Sequence, residues 1–142
     1  MAVYLWVALG SALGGLARYA LTKFLLPSTS SHFPASTILI NVLGSFVIGF
    51  FGTMTIAGGR FAVPENIRIF VMVGICGGFT TFSSFSLQTF DLMRSGMWGK
   101  ALLNVGLSVV LCLLGVGMGH AIADRFVHTP LIAQTEEEEY TG

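Results

Sequence analysis

The chain has 142 residues, of which 54% are hydrophobic and only 10% are Asp, Glu, Lys or Arg, and its mean hydropathy is +0.80. That is too little charge to cover a water-facing surface, which excludes a soluble domain and points to an integral membrane protein resident in the lipid bilayer. Seven basic residues balance seven acidic ones, but four of the acids fall together at 136–139, so the remainder is basic; nucleic acid is not an expected partner.

Four stretches are long and apolar enough to cross a hydrocarbon core of roughly 30 Å as helices of about 20 residues. They lie at 3–21, 37–57, 67–90 and 101–122, within a single membrane domain over residues 1–128. The expected fold is all-α, with four transmembrane helices. Turns between them are marked by Pro27 with the serines of 28–31, by Gly58-Gly59-Arg60 with Pro64, and by Arg94-Ser95-Gly96. The tail at 129–142, with its glutamate run, is expected to be disordered by self-repulsion and lack of apolar residues.

In the first stretch Ser11, Gly14, Gly15 and Arg18 follow helical spacing, and Gly10 with Gly14 forms a GxxxG pair. No basic residue precedes it and no small-residue cleavage site follows, so it is expected to stay as the first helix. Arg18 admits two readings: its guanidinium snorkels to the interface, or it is a buried charge that concentrates anions at the mouth of a polar path. In the second stretch Asn41, Gly44, Ser45, Gly49 and Gly52 share one face. Asn41 either satisfies a backbone group or another helix, or offers its two N–H donors to an anion losing water.

The third stretch carries the most unusual run, 74–86, in which glycines, hydroxyls and three phenylalanines replace the leucines of a plain membrane helix. So weak a helix former is expected to open its backbone ladder, and the freed carbonyls need polar partners that hydrocarbon cannot supply. Phe82 and Phe85 stand three residues apart on one face, either as core or as rings whose positive edges line an anion path. With Asn41 and the hydroxyls of Ser83, Ser84 and Ser108 they would form a lining of weak donors that replaces hydration without trapping the ion. In the fourth stretch Asn104, Ser108, Cys112, Gly115 and Gly119 follow one stripe, the last two as a second GxxxG pair. These small-residue faces suit close helix packing, and two chains meeting would use them better than one chain of four helices. Cys76 and Cys112 fall in apolar stretches without metal-like spacing and read as small reduced packing residues.

No Asp or Glu lies in the central part of a span, which counts against a proton-coupled pump or cation antiporter. Loop charge does not choose an orientation: Arg60, Arg68 and Arg125 would face one side, and Lys23, Arg94 and Lys100, with Arg18 nearby, the other. So even a count allows insertion both ways, with opposite copies pairing about an axis in the membrane plane. A topology fixed by something other than loop charge is the alternative.

The run Gly77-Gly78-Phe79-Thr80-Thr81-Phe82-Ser83-Ser84-Phe85-Ser86 resembles the GGxTTFSTFS signature of the small fluoride channels called Fluc or CrcB. Gly14-Gly15-Leu16-Ala17-Arg18-Tyr19 is similar to the GxxxR[WY] element of their first helix, and 37–44 to their GTLxVNxxG element, with Ser36 where glycine is usual. The resemblance implies a dual-topology antiparallel homodimer in the inner (plasma) membrane that exports fluoride passively through two pores, and no enzyme activity. It also implies that Phe82 and Phe85 present ring edges to fluoride, that Asn41 donates to it, and that Arg18 stands near the pore entrance. Gly77 and Thr80 would mark where the third helices break and cross, their carbonyls holding a structural sodium ion (Na+) at the dimer centre. Ser84 replaces the usual threonine; Ser108 fits the polar track of the fourth helix, whereas Asn104 stands where some members carry tyrosine and Cys112 where serine is common. Two other classes compete. A small dual-topology multidrug or cation transporter should carry a glutamate in its first helix, where this chain has Arg18, and a non-transporting assembly factor would leave Asn41, Phe82 and Phe85 without purpose.

Overall fold

Leu, Gly and Val are the commonest residues of the apolar stretches, and in the computed structural model each stretch is helical over most of its described length, as a backbone that must satisfy its own N–H and C=O groups in lipid requires. The structure describes residues 2–25, 33–56 and 61–127. Over these it forms α1 (Ala2–Leu25), α2 (Ala35–Met54), α3 (Glu65–Arg68), a π-helical segment (Ile69–Cys76), α4 (Gly77–Phe79), α5 (Phe82–Arg94) and α6 (Trp98–Val127). The tail, the serines of 28–31 and Gly58-Gly59-Arg60 lie outside the described residues.

Three of the described helices have the length and composition to cross a membrane: α2, the bent run Glu65–Arg94 and α6. At 24 residues α1 has the length, but its glycines, Ser11 and Arg18 dilute its apolarity below that of the others, so the expected fourth span does not meet the same measure. The helices overrun the expected boundaries by a turn at several ends; Glu65–Arg94 and α6 each have 30 residues, about 45 Å, and exceed the hydrocarbon thickness.

The helices associate as two close pairs, α1 with the π segment and α4, and α2 with α6. Glycine makes both approaches possible. A Cβ on Gly10 would come within 2.5 Å of the Phe70 carbonyl oxygen, and one on Gly14 would strike the Ile75 carbonyl oxygen and lie 2.8 Å from the Phe79 nitrogen. Likewise a Cβ on Gly119 would strike the Phe46 carbonyl oxygen and lie 2.7 Å from the Phe50 nitrogen. Both GxxxG faces are therefore used inside one chain, contrary to the expectation that they are better used between two. Trp6 adds an edge-to-face contact with Phe70, centroids 5.7 Å apart.

The interior is more polar than the surface. Thr37, Thr55, Thr81, Thr89, Asn104 and Ser108 are buried, whereas Leu5, Leu16, Phe24, Leu102 and Leu113 are exposed, the distribution a lipid-facing exterior favours. Arg68 binds the Thr55 carbonyl and hydroxyl oxygens, tying α3 to the end of α2. The turn at Gly96 is the one described place where backbone requires glycine: its φ of 72° lets Gly96 N–H reach Met93 and Met97 N–H reach Leu92, closing α5 and reversing the chain into α6.

Candidate functional site

The break in the third span falls at Thr80 and Thr81, whose backbones are extended (ψ 158° and 101°), and not at Gly77, which stays helical (φ −65°, ψ −37°). The expected opening over 77–80 is thus displaced towards its end. The glycines weaken the helix, but it is α2 that supplies a place for the break. The Asn41 carboxamide accepts from Thr81 N–H at 2.8 Å and donates to the Thr81 carbonyl at 3.2 Å, pairing both polar groups of one extended residue. One turn along α2, a Cβ on Gly44 would strike the Thr80 methyl, so this glycine is the seat of the second extended residue.

On the far side of the break Thr81 restarts the helix. Its hydroxyl oxygen accepts from Ser84 N–H at 3.1 Å, an N-cap, and its proton goes to the Ser84 hydroxyl at 2.9 Å. The Ser84 proton is left to donate elsewhere. The N-terminus of the 13-residue α5, with its positive dipole end, is held at this depth by the cap. Two donors that a continuous helix would return to the third span are diverted: Thr81 N–H to Asn41 and not to the Gly77 carbonyl, and Ser84 N–H to Thr81 and not to the Thr80 carbonyl.

The residues singled out from sequence divide between two cavities. Asn41, Gly77, Thr80, Phe82, Phe85 and Ser108 line a groove of about 390 Å³, whose remaining wall includes Ser45, Met72 and Cys112. Phe82 and Phe85 face each other there, centroids 5.3 Å apart and planes tilted by 47°, with Phe82 78% exposed at its edge. Ser108 is buried and its hydroxyl has no partner, although Thr22, Thr53, Thr55, Thr80, Ser86 and Thr89 each bond back to the carbonyl four residues earlier. A hydroxyl enclosed in the groove wall without a partner lacks a hydrogen bond that an occupant could complete.

Arg18 and Ser84 line a second cavity, of about 290 Å³, with Thr22, Thr37, Thr81 and Gln88. The Asn41–Thr81 pair spans the two cavities, one residue lining each. Ser83 lines neither: it is exposed, 3.3 Å from the Thr81 hydroxyl. Thr81, Thr37 and Gln88 were not among the expected site residues. A threonine before Phe82-Ser83-Ser84 is an N-cap signal, and it marks Thr81; the other two carry no comparable local sign.

The groove can hold a small anion without a full charge, through a serine hydroxyl, ring edges and a helix N-terminus, while Arg18 supplies positive charge to the neighbouring cavity. Residues 5–120 match the family described as "CrcB-like protein, Camphor Resistance (CrcB)". The chain is 61% identical over 134 residues to a fluoride-specific ion channel FluC of Methylobacterium radiotolerans, covering 94% of this chain and 93% of that one. It is 60% identical over 120 residues to its namesake in Methylocella silvestris (84% and 92%) and 57% identical over 135 residues to that of Gluconobacter oxydans (94% and 93%). A match over this length, and relatives this similar end to end, make the chain a member of the CrcB family.

Proposed function

We propose that this chain is a fluoride channel, not an enzyme, which lets fluoride leave the cell passively across the plasma membrane. The observation that carries the reading is the groove itself, where the uncommitted Ser108 hydroxyl meets Phe82, Phe85 and Asn41. Fluoride approaches through the Arg18 cavity, exchanges water for hydroxyl and ring-edge contacts, and is separated from chloride by the narrowness of the path. Asn41 keeps one Nδ2–H on the Thr81 carbonyl and offers its second N–H to the ion in the groove. Ser84 donates on the Arg18 side, and Ser83 joins only through Thr81. Fluoride that enters an acidified cell as neutral HF dissociates inside, and the negative interior drives the anion out.

The working unit in this reading is an antiparallel homodimer of dual-topology chains, each with α1 as its fourth span. The exposed Gly77 and Phe82 edge faces the partner. A sodium ion at the centre suits the Gly77 and Thr80 carbonyls, because the donors that would occupy them are diverted. Bound there, the ion would offset the partial charge of the freed carbonyls. A multidrug or cation transporter is not favoured: α1 contains no acidic residue to exchange a proton.

Purified protein in liposomes tests the reading, with fluoride efflux followed by electrode under a potassium gradient. Fluoride should leave far faster than chloride, and Phe82→Ile should slow it by at least tenfold. Unchanged flux in Phe82→Ile and Asn41→Asp would overturn the site; no flux of any halide would overturn the channel.

A further inference from the structure

Asn104 is the only large side chain among the described residues that is completely enclosed, at 1% exposure, yet it lines neither cavity. Its Nδ2–H donates to the Thr89 hydroxyl oxygen at 2.7 Å, and the Thr89 proton goes in turn to the Phe85 carbonyl at 2.7 Å. The order of this relay fixes the amide. Thr89 has one proton, already given to Phe85, so its oxygen can only accept, and the nitrogen of Asn104 must face it. Asn104 Oδ1 therefore points away, buried and without a partner. Enclosed and lining neither cavity, Asn104 does not reach an ion in the groove even though it lies one turn from Ser108 on α6.

We propose that Asn104 is a positioning residue: through Thr89 and the Phe85 carbonyl it anchors α5 to α6 and holds the Phe85 ring in the groove, while the anion-contacting track on α6 includes Ser108 and not Asn104. The role of Phe85 rests on the fluoride reading, whereas the relay that holds it does not. Loss of either member of the relay should have the same consequence, because both break one connection.

The test compares Asn104→Leu, Thr89→Val, the double variant and Thr89→Ser. Initial fluoride efflux per reconstituted dimer should fall roughly fivefold in either single variant, the order expected for losing one hydrogen bond, with no further fall in the double variant. Thr89→Ser should retain wild-type flux, and the dependence of flux on fluoride concentration should keep its midpoint. Additive losses, or a midpoint shift in Asn104→Leu alone, would overturn the proposal and make Asn104 an anion contact. A second measurement does not depend on transport: with 4-fluorophenylalanine at position 85, the ¹⁹F resonance should be one sharp line in the parent and broaden alike in Asn104→Leu and Thr89→Val. A line unmoved by both variants would overturn the positioning role. Absent wild-type flux with the expected ¹⁹F changes would overturn the fluoride reading and leave the relay standing.

Discussion

Asn41 gives both ends of its carboxamide to one peptide residue, Thr81, and that double pairing makes it sensitive to a single-atom change. Asn41→Asp keeps the shape but replaces the donor to the Thr81 carbonyl with an oxygen, setting two acceptors against each other. We expect a loss of about 1–3 kcal/mol in stability, read as a lower melting temperature in detergent, together with at least tenfold slower fluoride efflux. A normal melting temperature would mean that the pairing contributes little to the fold. Asn41, Phe82, Phe85 and Ser108, singled out from their residue types, line one groove. Their allegiances were not legible. Spacing along a helix states which face a side chain occupies, but not that Arg18 and Ser84 open into a separate cavity or that the backbone group Asn41 satisfies is that of Thr81.

At the scale of elements, the third span is two helices separated by an extended step, and α2 accommodates that step through Asn41 and Gly44. Low helix propensity indicated that a break would come; its place depended on a neighbouring helix distant in sequence, and so it was read a turn early. The glycine faces allow a contrast between adjacent residues. Gly14 packs against the third-span backbone, whereas a Cβ on Gly15 would meet nothing within 4 Å. Gly14→Ala should therefore cost about 1–3 kcal/mol through overpacking, while Gly15→Ala should be neutral or gain up to about 1 kcal/mol from helix propensity. Thermal melts of the two variants in the same detergent check this; equal losses would mean that α1 does not approach the third span as described.

For the whole molecule, large apolar side chains cover much of the described surface, while Thr37, Thr55, Thr81, Thr89, Asn104 and Ser108 are buried. Composition disclosed the membrane and the approximate number of helices, because burial in lipid leaves few alternatives to a helix. It could not disclose which helices pair, since the glycine stripes fit a neighbour in the same chain as well as one in another. If the chain inserts both ways, a reporter fused at the C-terminus should be found on the two sides of the membrane in comparable amounts, and a few extra lysines in one loop should shift it to one side. A reporter confined to one side would exclude the antiparallel dimer.

The pairing of α2 with α6 also has a consequence in time. The partner that fits the Gly49 face of α2 is α6, which leaves the ribosome only after the whole broken span. Until then the second helix waits in lipid with its glycine face uncovered, and a nascent chain ending before residue 98 cannot close the groove. Assembly of the site is thus a late, post-insertion event, and truncations from the C-terminal side should be cleared by membrane proteases as soon as they reach into α6.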